Sequence, residues 1–258
     1  MYHKDPIMIR RLLSAALTRL PLCPVWPEFA LLEGIRVPIR SSPFPPRLRR
    51  HMMRGGYETD ERRLVQQFVN SGDEVLEVGA SSGVVTSFLW RQVGPEGRVV
   101  SVDGNGALKP FFDEVLKANG FSGNWVEAIA YPVWTEEAPE AFGSRGFSAS
   151  ENPLGSAISS EESTPPEGGG EGPEVMTLRQ IAEKTGLRPT VLVADIEGTE
   201  GVWCEAPPAL PVSIKTVILE IHPQLIGVAA AGATVQALID EGFRVSGISG
   251  LVFALSRP

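Results

Sequence analysis

The sequence predicts an α/β protein built on an open, mainly parallel sheet with helices on both faces. Three observations predict it. Short apolar runs that end in a glycine or an acidic residue, among them "DEVLEVG", "GRVVSVD" and "TVLVADIEG", have the length and composition of buried strands. Stretches with helical periodicity, about 10–15 residues long, lie between most of them and require crossover connections. The last two strands, "FRVSGI" and "LVFALS", have no helix between them, so they should pair as a hairpin and set one antiparallel edge.

Taken in order, the chain divides into a basic, proline-rich N-terminal arm over 1–56 and a larger domain over 57–258. In "MIRRLLSAALTRLPLC" the apolar residues Ile9, Leu12, Leu13, Ala16, Leu17 and Leu20 fall at helical spacing. Arg10, Arg11 and Arg19 interrupt the run, so it cannot span a bilayer. A packed or subunit-contacting helix suits it better than a membrane-surface one, and a homodimer would follow from the former. The prolines of "PLCPVWPEF" and "SSPFPPRLRR" forbid long helices and break central strands, which predicts an extended arm lying over the core.

From "ETDERRLVQQFV" the pattern is helical, with Thr59 expected at the N-cap and Leu64, Val65, Phe68 and Val69 on one stripe. Strand "DEVLEVG", helix "VVTSFLWRQV", strand "GRVVSVD", helix "LKPFFDEVLKANG" and strand "NWVEAIAY" follow. Later come helix "TLRQIAEKTG", strands "TVLVADIEG" and "KTVILEIH", and helix "ATVQALIDEG" before the closing hairpin. Residues 143–173, rich in Gly, Ser, Pro and Glu, carry too few apolar side chains to offset their ordering entropy; they read as a surface insertion or a substrate-covering loop.

With 258 residues, 43% of them hydrophobic, one principal core is expected. The net charge of -8 opposes a surface built to neutralise phosphate backbones, so no nucleic-acid partner is expected. Cys23 and Cys204 stand far apart with no second ligand pair, which indicates neither a disulfide framework nor a thiolate zinc site and fits a reducing, cytoplasmic setting.

Ligands of such sheets bind outside the carboxyl ends of the strands, where strand order reverses. At the end of the first strand stands Glu77-Val78-Gly79-Ala80-Ser81-Ser82-Gly83. Gly79 permits a sharp turn and close approach of a ligand, and Gly83 permits close contact as the next helix begins. The third glycine of a dinucleotide fingerprint is absent, and Glu77 would repel a pyrophosphate yet suit an ammonium group. Twenty residues beyond Gly83, Asp103 ends the second strand, with Gly104 after it, where a carboxylate can accept both hydroxyls of a ribose. A cationic amino acid end and a ribose end together describe S-adenosylmethionine.

"YETDERRLVQQFVNSGDEVLEVGASSGVVTSFL", "VMTLRQIAEKTGLRPTVLVADIEGTEG" and "VILEIHP" resemble the FkbM-type methyltransferases over roughly residues 55–225. Asp195-Ile196-Glu197-Gly198-Thr199-Glu200 combined with Glu220-Ile221-His222 carries most of the likeness. The resemblance implies a Rossmann-like class I methyltransferase fold with a seven-stranded sheet. It also implies cofactor contacts from Glu77, Gly79, Ala80, Ser81, Gly83 and Asp103, with Glu127 or its neighbour Ala128 near the adenine. Two positions depart from the pattern: Glu77 stands where Asp is commoner, and Ala194 where Lys is often found.

Asp195 ends the fourth strand, and Glu220 and His222 end the fifth, so all three are expected at the mouth beside the cofactor. His222 is the natural base for a hydroxyl acceptor, since an ordinary imidazole is largely neutral near pH 7, and Asp195 is the second candidate. Two plainer readings stand beside these: Glu197 and Glu200 as acidic groups at a helix N-terminus, and His222 as the partner of a backbone carbonyl. Asp195, Glu220 and His222 could also supply ligands to Mg²⁺ or Mn²⁺, but the motif enforces no coordination geometry and no metal is assigned. Tyr57 and Glu58 are expected to close over the cofactor's amino acid end. The function expected is methylation of a hydroxyl on a small molecule, a sugar, glycolipid or secondary metabolite. An NAD-dependent oxidoreductase and a non-catalytic S-adenosylmethionine-binding module are the alternatives.

Overall fold

A computed structural model describes residues 26–143, 147–148, 157–158 and 173–258. The helix expected over the first twenty residues and most of the 143–173 insertion lie outside the described residues.

In chain order the elements are β1 (Phe29–Leu32), β2 (Ile35–Pro38), α1 (Pro46–Met53), α2 (Thr59–Phe68), β3 (Glu74–Val78), α3 (Val84–Val93), β4 (Arg98–Asp103), α4 (Lys109–Ala118), β5 (Trp125–Glu127) and β6 (Ile129–Tyr131). There follow α5 (Glu140–Gly143), β7 (Phe147–Ser148), β8 (Ala157–Ile158), β9 (Val175–Thr177), α6 (Leu178–Thr185) and β10 (Val191–Ala194). A 3₁₀ turn over Thr199–Cys204, β11 (Thr216–Glu220), α7 (Pro223–Ile226), α8 (Val228–Asp240), β12 (Arg244–Ser249) and β13 (Val252–Ser256) complete the chain.

Seven strands form one sheet in the order β12-β13-β11-β10-β3-β4-β5. The pairs among β11, β10, β3, β4 and β5 are parallel, whereas β13 runs antiparallel to both β11 and β12. This is the expected architecture, a mainly parallel seven-stranded sheet with helices on both faces and an antiparallel closing pair. Strand order reverses between β3 and β10, which places the ligand crevice at their carboxyl ends.

The two faces follow from the period-two alternation of strands. Val75, Val99, Val193 and Ile218 pack with Leu64 and Val65 of α2 and with Val84 and Phe88 of α3. Leu76, Val78, Val100, Leu192 and Leu219 point the other way, toward Leu178 and Ile181 of α6 and Leu238 of α8. Glu77 has the phase of Val75, so the fold carries its carboxyl inward beneath α3; the residue is 2% exposed.

Local rules account for several boundaries. Thr177 and Gln180 form a reciprocal capping box at the start of α6, and Gly186 closes it in the left-handed conformation. Thr59 departs from expectation. It is the first residue of α2; Glu58 holds the cap position with φ 49° and caps with no side-chain bond, while the Thr59 hydroxyl turns back to donate to the Gly56 carbonyl. The expected strand "NWVEAIAY" is two strands: β5 joins the main sheet, and β6 leaves it to pair with β9.

The proline-rich stretch is more regular than an extended arm. β1 and β2 form an antiparallel hairpin, and α1 begins at Pro46, where the missing amide hydrogen costs nothing. Leu32, Val37, Ile39, Phe44 and Met52 are buried in the same core as α2 and α3. Among the described residues no helix is long and apolar enough to cross a membrane.

Candidate active site

A cleft of about 410 Å³, part of it open to solvent, lies at the carboxyl ends of β3, β10 and β11. The turn after β3, the first turn of α2 and the end of β10 wall it, with Glu220 of β11 at one side.

On one side of the cleft the two carboxyls, Glu77 and Asp103, are hydrogen-bonded. The Glu77 Oε2 accepts hydrogen bonds from the hydroxyls of Thr86 and Ser101, both at 2.6 Å. Burial pushes this carboxyl up to about 7, although the two hydroxyls pull it down. The two oxygens of Asp103 accept from the backbone amides of Ser81 and Asn105, at 2.8 and 2.7 Å, so this carboxylate ties the glycine turn to the end of β4. Burial raises its pKa and those two bonds oppose the rise.

Gly79 has φ 88°, and a Cβ there would overlap the carbonyl oxygen of Asp195. Its bare backbone therefore lets β3 and β10 close on each other at a point that also lines the cleft. Gly83, with φ 75°, caps α3 and leaves room for the Phe112 ring, 2.8 Å from where its Cβ would be. Ala80 and Ser81 line the cleft, and the Ser81 hydroxyl is buried with no hydrogen-bond partner.

The other side is crowded with carboxyls. Oxygen atoms of Glu58, Glu61, Asp195 and Glu220 all lie within 4.8 Å of one another. Two like charges at ~4 Å repel by about 4 kcal/mol at an effective dielectric near 20. Burial is accordingly joined by the neighbouring acids in raising the pKa of Glu58, Asp195 and Glu220. Asp195 Oδ1 is buried and accepts no hydrogen bond.

His222 closes this side from behind, outside the cleft wall, and is 5% exposed. Its Nδ1 meets Glu200 Oε1 at 3.1 Å, and the same oxygen accepts the His222 backbone amide at 2.7 Å. The Nε2 faces Asp195 at 3.5 Å, Glu197 at 3.6 Å and Glu220 at 3.9 Å. Burial alone would lower the imidazole's pKa; the bond to Glu200 and the charges of Glu200, Glu197 and Glu61 outweigh it and hold the pKa above 6.5. The surrounding acids thus favour the protonated ring.

Asp195, Glu220 and His222 do come together, as do Tyr57, Glu58, Glu77, Gly79, Ala80 and Ser81. Gly104, Glu127 and Ala128 lie apart from the cleft wall, on the β4–β5 side, where the Glu127 carboxyl packs against the bare backbone of Gly106 and Ala128 donates to the Asp103 carbonyl. Two residues emerge that the sequence reading did not assign to the site. Glu61 lies in the first turn of the helix that Glu58 caps, and an acidic residue three positions after Glu58 was the available signal. Glu200, fully buried, takes the helix-end role weighed for it and a second one: its Oε2 accepts the Gly198 amide at 2.8 Å at the start of the 3₁₀ turn, while Oε1 holds His222.

Residues 61–129, about a quarter of the chain, match the protein-L-isoaspartate(D-aspartate) O-methyltransferase family. No curated protein matches the chain. Solved structures that overlap it include precorrin-6y C5,15-methyltransferase from Geobacter metallireducens, 13% identical, covering 76% of this chain and 87% of that one with a TM-score of 0.43. Fibrillarin from Aeropyrum pernix with natively bound S-adenosyl-L-methionine is 12% identical and covers 75% of this chain and 72% of that one, with a TM-score of 0.41. Ribosomal protein L11 methylase from Lactobacillus delbrueckii subsp. bulgaricus is 13% identical, with 77% of each chain covered and a TM-score of 0.41.

Proposed function

We propose that this protein is an S-adenosylmethionine-dependent methyltransferase acting on an oxygen of a small hydroxyl-bearing molecule, a sugar, glycolipid or secondary metabolite. The observation that carries the reading is the place of the cleft. It opens where strand order reverses, its wall is the turn Gly79-Ala80-Ser81-Ser82, and the Ser81 hydroxyl is buried there without a partner. The match of residues 61–129 to a methyltransferase family covers this turn and Asp103, and supports the same reading. It ends before Asp195, so it does not bear on the acceptor. The likeness of the 195–200 and 220–222 segments to FkbM-type enzymes is consistent with their meeting at His222.

The residues fit the cofactor by charge. A ligand with an ammonium and a sulfonium suits a cleft lined by Glu77, Asp195 and Glu220, and the Ser81 hydroxyl offers a bond that nothing else uses. Asp103, already committed to two amides, keeps lone pairs for ribose hydroxyls. When bound, S-adenosylmethionine supplies a methyl group activated by its positive sulfur.

The chain's own task is then to position an acceptor and take its proton. Asp195 is the better base. It lines the cleft, its Oδ1 is free of hydrogen bonds, and burial together with the neighbouring acids raises its pKa, which makes the carboxylate a stronger base than an ordinary one. His222 behind it orients that carboxylate and balances its charge. Incubation with labelled methyl donor and a panel of hydroxyl compounds, read by mass spectrometry, tests the reading. The Asp195→Asn variant is expected to lose activity by about 100-fold or more with S-adenosylhomocysteine binding retained. Unaltered turnover in that variant removes Asp195 as base.

A further inference from the structure

Four acidic side chains converge on the α2 side of the cleft, with His222 behind Asp195 and Glu220 as their basic neighbour. Glu58 and Glu61 come from the first turn of α2, Asp195 from the end of β10 and Glu220 from the end of β11, with oxygen atoms of all four within 4.8 Å of one another. Glu61 is within hydrogen-bonding reach of both Glu58 and Glu220. A carboxylate only accepts, so two that meet need a proton or a cation between them. Among the described residues no Lys or Arg forms an ion pair with any of these four carboxyls.

A second observation points the same way. Tyr57 lines the same cleft, is only 3% exposed, and its hydroxyl is buried close to Glu58 and Ser82 without a hydrogen bond of good geometry to either. The charges of Glu58 and Asp195 both act on it. Asp195 Oδ1 is likewise buried and accepts no bond. Two oxygen atoms that burial normally forces into hydrogen bonds are therefore left open around the same small space.

We propose that Glu58, Glu61, Asp195 and Glu220 bind a divalent cation, with the Tyr57 hydroxyl bonding the ion or a water on it. An all-oxygen, multiply anionic donor set selects a hard ion, Mg²⁺ or Mn²⁺, over a zinc ion that prefers nitrogen and sulfur. His222 does not take the place of a ligand here, because its Nδ1 is committed to Glu200 and its Nε2 faces carboxyls at 3.5–3.9 Å. The site includes Asp195, the residue proposed above to meet the acceptor, so the ion would hold the acceptor's oxygen and favour its ionised form.

Electron paramagnetic resonance of added Mn²⁺, on the metal-stripped full chain without cofactor, tests the site apart from any activity. One Mn²⁺ per chain is expected to bind below about 1 mM, to be displaced by Mg²⁺, and to bind at least tenfold more weakly in Glu61→Gln and Glu220→Gln. Tyr57→Phe should weaken binding by a smaller factor, and Glu136→Gln, a carboxyl on a surface ion pair, should bind as the parent does. Circular dichroism identifies any variant that fails to fold. The parent protein alone decides the case if both glutamine variants unfold: no Mn²⁺ bound up to about 1 mM overturns the proposal. Parent-like binding by folded Glu61→Gln and Glu220→Gln overturns it equally. Because no cofactor is present, neither result bears on the methyltransferase reading.

Discussion

The two sides of the cleft use the same chemical group in opposite ways. Around the glycine turn, Glu77 and Asp103 each accept two hydrogen bonds, from hydroxyls of Thr86 and Ser101 and from amides of Ser81 and Asn105. Across the cleft, Glu58, Glu61, Asp195 and Glu220 face one another with few donors among them. Buried polar atoms in folded proteins are nearly always bonded; the carboxyls of the first side follow that rule, and Asp195 on the second does not. The contrast separates residues that shape the cleft from residues that act in it.

Substitutions that attack the scaffold side should cost the most. Gly79→Ala places a methyl group against the Asp195 carbonyl and holds a non-glycine residue at φ 88°, and a loss of about 3 kcal/mol or more in urea unfolding is expected. A loss below about 1 kcal/mol would show that the two strands separate easily there.

Glu77 gives a pH signature. Its carboxyl rises from 4.5 to about 7 on folding, so the folded state binds its proton more tightly than the unfolded chain does. The resulting stability is fully present below about pH 4.5 and is lost as pH rises through about 7, an effect of about 3 kcal/mol. Glu77→Gln, which has nothing to titrate, should remove that part of the slope in denaturation measured between pH 5 and 8. An unchanged slope would place the titrating group elsewhere.

Between the two sides stands Glu200, one carboxyl serving Gly198 and His222 together. Glu200→Ala should cost about 2 kcal/mol and lower the His222 pKa, seen in the histidine resonances on pH titration. A His222 that titrates as before would mean the other acids hold its charge. At the small end, Asp113→Ala removes only an exposed pair with Lys109 and should change stability by less than about 0.5 kcal/mol.

The sheet was legible in the sequence because its strands are short apolar runs with turn residues at their ends, and because the closing pair lacks a helix between them. The proline-rich stretch was less so. Leu32, Val37 and Phe44 are scattered among prolines and show no period, and only the tertiary contacts reveal that they belong to the core. In the site, Asp195, Glu220 and His222 could be brought together by strand order alone. The charge state of His222 could not, since it depends on Glu197 and Glu200 folding back from the turn after β10. Nor could the role of Gly79, because its neighbour Asp195 is more than a hundred residues away in sequence.

Calorimetric titration with S-adenosylhomocysteine, run beside NADH on the same preparation, tests most directly whether this cleft is a methyl-donor site. One S-adenosylhomocysteine per chain, with no uptake of NADH, is the result predicted. Absence of heat with S-adenosylhomocysteine, or uptake of NADH instead, would contradict it.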